Sequence, residues 1–470
     1  METRKFFIGN EKNSSEKTQD ILSPYQNKHL ATVYLAEEEH IEKAIETAKQ
    51  AFAEHKYMPA YKRADILLNI AEDIKQNRVE LAETLALECG KNINFALGEL
   101  DRAVNTFTIA AEEAKRIKGE YFSLDAVKNG ENKQALIKRF PIGPVLGITP
   151  FNYPLNLVAH KVAPAIASNN PILIKPSSLT PLSALNLAEI AKKYLPHGML
   201  SILPCNGADI KSAVTSPDIK MISFTGSPAV GWKLKDLCGK KKVCLELGGN
   251  AAVIIDKETD IDAIMDKCII GAFVYSGQNC IHTQRLYIHA AKFEEFKKKF
   301  VARAQELQNG DPLDEEIFLN PMITEQEAIR AENWLEEALN QGAQLLCGGE
   351  RNGTMFNATV LTNTNPEMKV EKREVFAPIV VLKDYTKFED AVKMVDDSKY
   401  GLQAGIFCND LQKIMYAYEN TEVGGLIVNN VPTFRVDQMP YGGVKNSGFG
   451  REGLKYAIEE MTEPRLMVFS

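Results

Sequence analysis

A cysteine and a glutamate upstream of it are the residues with the clearest chemical potential in this chain. Cys280 ends the run Ser276-Gly277-Gln278-Asn279-Cys280, and Glu246 lies within Leu245-Glu246-Leu247-Gly248-Gly249-Asn250. A thiol can attack an electrophilic carbon, and a carboxylate at the same domain edge can later activate the water that releases the covalent intermediate. The pair fits covalent catalysis through Cys280, although neither motif is specific alone. The alternative is a buried structural thiol.

Two more motifs stand before this pair. They are Thr149-Pro150-Phe151-Asn152-Tyr153-Pro154 and Lys175-Pro176-Ser177-Ser178. Together with the glutamate and cysteine motifs, and in this order, they resemble the aldehyde dehydrogenase superfamily. The resemblance runs nearly from end to end of the chain. Within the superfamily, residues 148–164 are most similar to the lactaldehyde-type and phosphonoacetaldehyde-type dehydrogenases.

The resemblance implies a defined reaction sequence. Cys280 would attack the aldehyde carbonyl to form a thiohemiacetal, while the Asn152 side-chain amide and the Cys280 backbone N–H stabilise the oxyanion. Hydride would pass to a nicotinamide, and the thioester left on Cys280 would be hydrolysed with Glu246 as the base. Relatives that transfer the thioester to coenzyme A generally lack this glutamate. Glu246 therefore favours a free acid as the product.

Three other functions stay open at this point. Two are enzymes of the same superfamily, a coenzyme A-acylating aldehyde dehydrogenase and a non-phosphorylating glyceraldehyde-3-phosphate dehydrogenase. The third is a catalytically silent structural or binding protein on the same scaffold. The joint presence of Cys280, Glu246, Asn152 and Lys175 argues against the silent protein, which has no chemical reason to keep all four.

The run Phe224-Thr225-Gly226-Ser227 is the best candidate for a dinucleotide contact. It ends an apolar strand and opens a helix near Pro228, whose free N–H groups and positive dipole end suit a pyrophosphate. Lys175 follows the apolar run 171–174 at another strand end, where doubly wound folds bind ligands. The resemblance implies that this lysine binds the adenosine ribose. It also adds four cofactor positions, namely Pro150, Leu247, Glu374 and Phe376.

Ser178 bears on the choice between NAD and NADP. Relatives usually have a glutamate here, which accepts a hydrogen bond from the ribose 2′-OH. A carboxylate would repel a 2′-phosphate, whereas serine tolerates it and Lys175 can pair with it. The sequence therefore favours NADP slightly over NAD. The alternative is that Ser178 merely weakens NAD binding.

A second glycine-rich run is rejected as a cofactor site. Gly448-Phe449-Gly450-Arg451-Glu452-Gly453 fits the pattern GxGxxG. However, no strand clearly precedes it, and too little chain follows it for a βαβ unit. It matches instead the C-terminal signature of the superfamily, which is a structural element.

The predicted substrate tunnel is polar, unlike that of relatives acting on fatty or aromatic aldehydes. Alignment from Asn152 places Tyr153, Asn156, Leu157 and His160 along it. His282 follows two residues after Cys280, while Arg102 is expected on a helix that borders the tunnel and Arg435 on the loop that closes its mouth. Two arginines and two histidines would suit a small hydrophilic aldehyde, including one with a carboxylate, sulfonate or phosphonate, or a 2-hydroxyaldehyde. The alternative is that the arginines pair with nearby acidic residues: Arg102 with Glu99 or Asp101, and Arg435 with Asp437. The histidines would then make only local hydrogen bonds.

Composition excludes several other classes of protein. The chain has 470 residues, 45% of them hydrophobic and 25% charged, and a net charge of −7, which gives no reason to expect nucleic acid or an anionic membrane as partner. No signal peptide or membrane span is expected. The eight cysteines form no CxxC pair, and His282 and His289 lack a third ligand, so no metal is expected. A reducing cytoplasm suits these cysteines best.

The pattern of elements predicts an α/β fold with a doubly wound parallel sheet. The first third is helical by spacing, and short apolar runs then alternate with helices. We expect a dinucleotide-binding domain at 1–118 and 140–248, with 446–458. A second α/β domain, carrying Cys280, is expected at 249–445.

The remaining segments, 119–139 and 459–470, interrupt this pattern. The first is polar and loop-rich and ends in an alternating run. The resemblance implies that it forms a β-arm which, with the C-terminal tail, joins subunits into a homodimer or homotetramer. A plain surface hairpin is the alternative.

Overall fold

The N-terminal part of the chain is mainly helical. The computed structural model describes residues 3–470. Buried residues of the second helix recur at helical spacing, as Ala64, Leu67, Ile70 and Ile74 do, and this stripe packs against the fourth helix. The elements are β1 (Phe6–Ile8), β2 (Glu11–Asn13), β3 (Thr18–Leu22), β4 (His29–Tyr34), α1 (Glu38–His55), α2 (Ala60–Gln76), α3 (Arg78–Cys89), α4 (Ile93–Ala114), β5 (Glu120–Ser123) and β6 (Gln134–Pro141).

Strands and helices then alternate, as the sequence predicts. The strands are short and apolar, and all four residues of the first are buried, which is typical of parallel strands covered on both faces. The elements are β7 (Val145–Ile148), α5 (Asn156–Ala167), β8 (Ile172–Lys175), α6 (Leu182–Ala191), β9 (Leu200–Ile202), α7 (Lys211–Thr215), β10 (Met221–Thr225), α8 (Pro228–Leu237) and β11 (Lys242–Glu246).

The last half of the chain contains the second α/β region and the C-terminal strand. Its elements are β12 (Ala251–Ile255), α9 (Ile261–Phe273), β13 (Thr283–His289), α10 (Ala290–Gln305), α11 (Glu325–Asn340), β14 (Gln344–Cys347), β15 (Arg351–Asn352), β16 (Met355–Phe356), β17 (Thr359–Thr362), α12 (Lys369–Lys372), β18 (Ile379–Tyr385), α13 (Phe388–Asp396), β19 (Tyr400–Gly401), β20 (Gln403–Phe407), α14 (Leu411–Asn420), β21 (Gly425–Val428), β22 (Val444–Lys445), β23 (Gly448–Phe449), α15 (Leu454–Glu460) and β24 (Thr462–Phe469).

Two large sheets carry the fold. The first has the order β2-β1-β9-β8-β7-β10-β11-β23, and its five strands from β9 to β11 are parallel. The second has the order β14-β17-β18-β13-β12-β20-β21 and is parallel from β17 to β21. The predicted α/β class with a doubly wound parallel sheet is confirmed. The domain boundaries themselves stay a prediction.

A third, antiparallel sheet has the order β24-β6-β5. Strand β24 pairs with β6 along its whole length, from Thr462 opposite Pro141 to Phe469 opposite Gln134. Most of β24 is exposed, including Leu466 and Phe469. The outer edge of β24 is therefore open. Among the helices of residues 3–470, none combines the length and apolar character needed to cross a bilayer.

Candidate active site

The motifs around Asn152, Glu246 and Cys280 meet the Thr225-Gly226-Ser227 turn at one cavity of about 780 Å³. The segments that follow β7, β10 and β11 line one side of it, so it lies at the carboxyl ends of parallel strands, where open α/β sheets bind ligands. Loops of the second sheet line the other side. Cys280, Glu246 and Asn152 all reach this cavity.

The loop that presents Cys280 has a strained backbone. Tyr275 and Ser276 have φ angles of 51° and 50°, which non-glycine residues seldom adopt. A Cβ on Gly277 would lie 2.2 Å from the carbonyl oxygen of Ala377, so only glycine fits there. The Ser276 hydroxyl donates to the Asn320 carbonyl at 2.7 Å and accepts from the Asn320 N–H at 2.8 Å. The kinked loop is thus fixed on both sides before it reaches the thiol.

Cys280 is partly buried. Its Sγ is 3.0 Å from the hydroxyl oxygen of Tyr441. Burial raises the pKa of the thiol to about 11, although the Tyr441 hydrogen bond and the positive charge of Arg435 act in the opposite direction. The thiol form therefore dominates at neutral pH.

Asn152 stands on a loop that a buried ion pair holds in place. Its side-chain amide donates to the Gln278 carbonyl at 3.0 Å, close to the nucleophile loop. Lys91 Nζ donates to the Asn152 carbonyl at 2.6 Å and to Glu99. The other Glu99 oxygen accepts from the first backbone N–H groups of α5, at Leu155 and Asn156. The oxyanion donor predicted from sequence is therefore positioned by a pair that the sequence reading did not assign to the site.

Glu246 and Glu452 are two buried carboxyl groups with opposite tendencies. Both oxygens of Glu246 lack a hydrogen-bond partner within residues 3–470. Burial, and next the negative charge of Glu452, raise the pKa of Glu246 well above its usual range. Burial also acts to raise the pKa of Glu452, but Lys161, 2.8 Å away, and Arg435 lower it to about 2. A carboxyl group whose surroundings favour its neutral form thus lies near one whose surroundings favour its ionised form.

The predicted phosphate-binding turn opens α8 toward the same cavity. Gly226, Ser227 and Ala229 line the cavity wall, and the Ser227 side chain makes no cap hydrogen bond. The first turn of α8 contains no acidic residue, so nothing in it neutralises the positive end of the helix dipole. Thr225, at the end of β10, accepts a hydrogen bond from Lys161 at 2.8 Å. This end of the cavity fits a dinucleotide pyrophosphate.

Other expected cofactor residues line the cavity beside the turn. Pro150, Leu247, Glu374 and Phe376 all contribute to its wall. Burial raises the pKa of Glu374 to about 7, and one of its oxygens accepts from the Gly249 N–H at 3.0 Å. A Cβ on Gly248 would lie 2.1 Å from the other oxygen. The paired glycines after Glu246 thus admit Glu374 to the site.

Lys175 and Ser178 lie at the end of β8, outside the wall of this cavity. Lys175 Nζ donates to the Pro176 carbonyl at 3.1 Å, and it forms no salt bridge with a carboxylate of residues 3–470. Burial lowers the pKa of Lys175. Ser178 is half-buried, and its carbonyl accepts from Gln19 at 2.9 Å. This strand end therefore offers a lysine without a carboxylate partner and, three residues later, a serine.

Arg102, Tyr153 and Arg435 line the cavity, as expected, but the arginines have partners that the sequence alternative did not name. Arg102 donates to Asp437 at 2.7 Å and 3.2 Å. Arg435 donates to Glu452 at 3.3 Å and stacks on the Tyr441 ring at 3.6 Å. Its Nε finds no hydrogen-bond partner within residues 3–470.

The two histidines do not line the cavity, contrary to the sequence expectation. His160 Nε2 lies 2.8 Å from an oxygen of Asp437, and burial lowers the pKa of the ring. His282 is also buried, which lowers its pKa to about 4, so it is neutral near pH 7. Its Nε2 would lie 3.2 Å from a Cβ built at Gly277, so the ring packs against the nucleophile loop. Both rings therefore lie behind the residues that line the cavity, because α5 and the 281–282 turn direct them into the protein interior.

Sequence analysis did not assign several residues to the site. Tyr441, Glu452, Lys161, Lys91 and Asp437 come from distant parts of the chain and meet only in the fold. Glu452 could have been predicted as a site residue, because it lies in the glycine-rich run 448–453 that was interpreted as structural. Within residues 3–470, no group of three metal-ligating side chains is placed to hold a metal ion.

Comparison with known proteins now identifies the class. The model of the aldehyde dehydrogenase family matches residues 11–467, so the chain belongs to this family, and it is an oxidoreductase of the NAD(P)-dependent kind. A 3-sulfolactaldehyde dehydrogenase from Priestia aryabhattai is 42% identical over 466 residues, covering 99% of this chain and 97% of the relative. A lactaldehyde dehydrogenase from Methanococcus aeolicus is 35% identical over 460 residues, or 97% of each chain. The predicted likeness to the lactaldehyde-type subgroup is confirmed.

Solved structures agree with this placement. Aldehyde dehydrogenase 21 from Physcomitrella patens, in complex with the reaction product succinate, has a TM-score of 0.98 and 43% identity, covering 99% of this chain and 98% of that one. A glyceraldehyde-3-phosphate dehydrogenase from Methanocaldococcus jannaschii, complexed with NADP, has a TM-score of 0.93 and 37% identity, covering 97% and 100%.

Proposed function

We propose that this enzyme oxidises a short aldehyde that carries an anionic group, and that it releases the carboxylic acid. The observation that carries the proposal is the position of Arg102 and Arg435 in the wall of the cavity that also holds Cys280. Arg435 has a buried Nε–H without an acceptor among residues 3–470, which costs about 1–3 kcal/mol until an acceptor arrives. A substrate carboxylate or sulfonate is such an acceptor.

The relatives support this substrate class. One relative is a dehydrogenase of a sulfonated aldehyde, 3-sulfolactaldehyde. Another is in complex with a dicarboxylic reaction product, succinate. In both molecules an anionic group lies a few bonds from the reacting carbon. The arginines are each paired with a carboxylate, Asp437 or Glu452, so the cavity is not strongly positive overall. Recognition would therefore depend on directed hydrogen bonds more than on net charge.

Three residues carry the proposed chemistry. Cys280 attacks the aldehyde carbon, and the carbonyl oxygen becomes an oxyanion that the Asn152 amide and the Cys280 N–H stabilise. NAD(P), when bound, supplies a hydride acceptor. Glu246 then takes a proton from the water that attacks the resulting thioester, which gives the free acid and frees the thiol. Glu246 lines the cavity without a protein partner competing for its oxygens, and it must lose its own proton before it can act as this base.

The dinucleotide is expected to lie across the α8 end of the cavity, with Glu374 and Phe376 toward the nicotinamide side. Lys175 and Ser178 would contact the adenosine ribose from the end of β8. Because Lys175 has no carboxylate partner and Ser178 brings no negative charge, this position favours NADP over NAD slightly. The fit is supported by the unneutralised helix end and by the free lysine.

We further propose a homo-oligomer in a reducing compartment such as the cytoplasm. Strand β24 has an open outer edge, and Leu466, Met467, Val468 and Phe469 are each about half exposed. Strand β21 is likewise an edge strand of the second sheet. Open, apolar strand edges pair with other chains readily, so two copies could cover each other's edges. All eight cysteines are free, which suits reducing conditions.

The reaction is tested by mixing enzyme, aldehyde and NADP without coenzyme A. We expect NADPH and the acid in equal amounts, and no turnover in the Cys280→Ser variant, which should still bind NADPH. Turnover that requires coenzyme A would favour the acylating alternative. Turnover retained in Cys280→Ser would remove this residue as the nucleophile.

A further inference from the structure

A buried tyrosine makes direct contact with the sulfur of Cys280. The Tyr441 hydroxyl lies 3.0 Å from Sγ, and only 3% of the residue is exposed. The backbone of Tyr441 is paired in both directions with Glu452, through N–H···O bonds of 3.0 Å and 2.7 Å. The Arg435 guanidinium covers the ring at 3.6 Å. Burial, the backbone pairing with Glu452 and the Arg435 guanidinium therefore together hold the phenol against the nucleophile.

We propose that Tyr441 is a catalytic residue whose O–H donates to the Cys280 thiolate and keeps it available for attack. The inference rests on the proposed role of Cys280. In the thiol form, either S–H or O–H can be the donor across this contact. Once the thiol proton has left to solvent water, only the phenol has a hydrogen to donate, and the bond becomes a charge-assisted one.

The surroundings of the sulfur make this donor important. Arg435 favours the thiolate, whereas burial and the carboxyl groups of Glu374 and Glu246 oppose it. The other side-chain hydrogen-bond partner of Sγ within residues 3–470 is the side-chain amide oxygen of Asn279 at 3.8 Å, which is an acceptor and cannot stabilise an anion. Tyr441 thus supplies the hydrogen bond that this anion needs.

The arginine stacked on the ring extends the effect. A cation over the face of a phenol stabilises the negative charge that the ring gains as its hydroxyl polarises, so the O–H becomes a stronger donor. Tyr441→Phe removes the hydroxyl but keeps the ring on which Arg435 lies. The variant therefore separates the hydrogen bond from the packing.

The test is the pH dependence of Cys280 alkylation by iodoacetamide in the full-length enzyme. Only the thiolate reacts, so the rate follows the ionised fraction. In Tyr441→Phe we expect the thiol pKa to rise by about one, and alkylation below that pKa to be roughly ten-fold slower. Cys280→Ala shows how much of the reaction belongs to this cysteine. The matched control is Tyr385→Phe, which removes a buried hydroxyl that donates to Ile255 far from the site.

An unchanged alkylation profile in Tyr441→Phe would overturn the inference. A second variant, with 3-fluorotyrosine at position 441, keeps the ring and strengthens the donor. We expect it to lower the thiol pKa, and an unchanged or higher pKa would contradict the role. The assay measures alkylation and not turnover, so its result tests the role of Tyr441 separately from the proposed function. Turnover retained in Cys280→Ala would instead contradict the proposed function.

Discussion

At the scale of single residues, the site contains two buried carboxyl groups whose neighbours drive their pKa values apart. Lys161 and Arg435 lower the pKa of Glu452, whereas burial raises the pKa of Glu246, which receives no hydrogen-bond donor from residues 3–470. Such separation is how acid and base roles are assigned within one pocket. It makes Glu246 the group that changes its protonation state during the reaction.

Glu246→Gln should trap the covalent intermediate. The variant cannot accept a proton from water, so kcat should fall by roughly 10²–10⁴-fold while the first turnover still produces NADPH. Because the pKa of Glu246 is raised, kcat of the wild type should increase with pH through the neutral range, and the variant should lose this rise. Stopped-flow measurement of NADPH over pH checks both. Steady turnover without a burst would contradict the role of Glu246.

Ser178→Glu should shift the cofactor preference toward NAD. A carboxylate at this position would repel a 2′-phosphate, and the ratio of kcat/KM for NADP to that for NAD should drop by roughly ten-fold. Ser177→Glu, which adds the same charge one position earlier, is the matched control. Initial rates with both cofactors give the ratio. An unchanged ratio in Ser178→Glu would refute the 2′-phosphate argument.

Sequence analysis found the site residues that belong to local motifs, but it missed those that only the fold brings to the site. Cys280, Glu246 and Asn152 were found because their motifs are local, and all three line the cavity. His160 was misplaced because a helical position close to the site in sequence can still point away from it, here toward Asp437. The contact of Tyr441 with the thiol joins residues far apart in the chain, which no local pattern shows.

At the scale of elements, the buried ion pair of Lys91 and Glu99 connects three segments of the fold. The loop before α4 contributes Lys91, α4 contributes Glu99, and both hold the loop that leads from β7 into α5. Lys91 Nζ also lies 3.7 Å from the centre of the Tyr153 ring. A charge pair of this kind specifies one position for the Asn152 loop rather than adding much stability.

Lys91→Met should leave Glu99 as a buried, unpaired carboxylate. We expect the free energy of unfolding to fall by about 3–5 kcal/mol, measured by urea denaturation, together with a lower kcat. The double variant Lys91→Met/Glu99→Leu removes both charges and should recover part of the stability but not kcat. Full recovery of kcat in the double variant would show that the pair does not position Asn152.

The elements themselves were the most predictable level. Apolar runs at 251–255 and 425–428 coincide with β12 and β21, and the helix expected at Pro228 begins there. Burial on both faces makes such strands continuous apolar runs, which a single sequence shows well. Sheet order was not predictable, because the pairing of β24 with β6 joins segments more than 300 residues apart.

At the scale of the whole molecule, the open edges of β24 and β21 leave apolar strand surface without a partner in one chain. An edge with Leu466 and Phe469 exposed favours association, since a lone chain would expose it to aggregation. The proposed oligomer is therefore argued from the exposed edges of the fold rather than from any one residue.

Leu466→Glu combined with Val468→Glu should dissociate the assembly. Two charges on one face of β24 oppose burial between chains, and the mass from light scattering after gel filtration should fall to that of one chain. Val79→Glu, on the exposed face of α3, is the control and should leave the mass unchanged. A wild-type mass of one chain would contradict the proposed homo-oligomer.

The most direct test compares short aldehydes with and without an anionic group. Initial rates of the wild type with NADP would be measured for 3-sulfolactaldehyde against lactaldehyde, and for succinic semialdehyde against butanal, with hexanal as the apolar reference. Charge-assisted hydrogen bonds of about 1.5–3 kcal/mol predict a kcat/KM roughly 10- to 100-fold higher for each anionic member. Equal values within the pairs, or a preference for hexanal, would contradict the proposal that Arg102 and Arg435 recognise an anionic substrate.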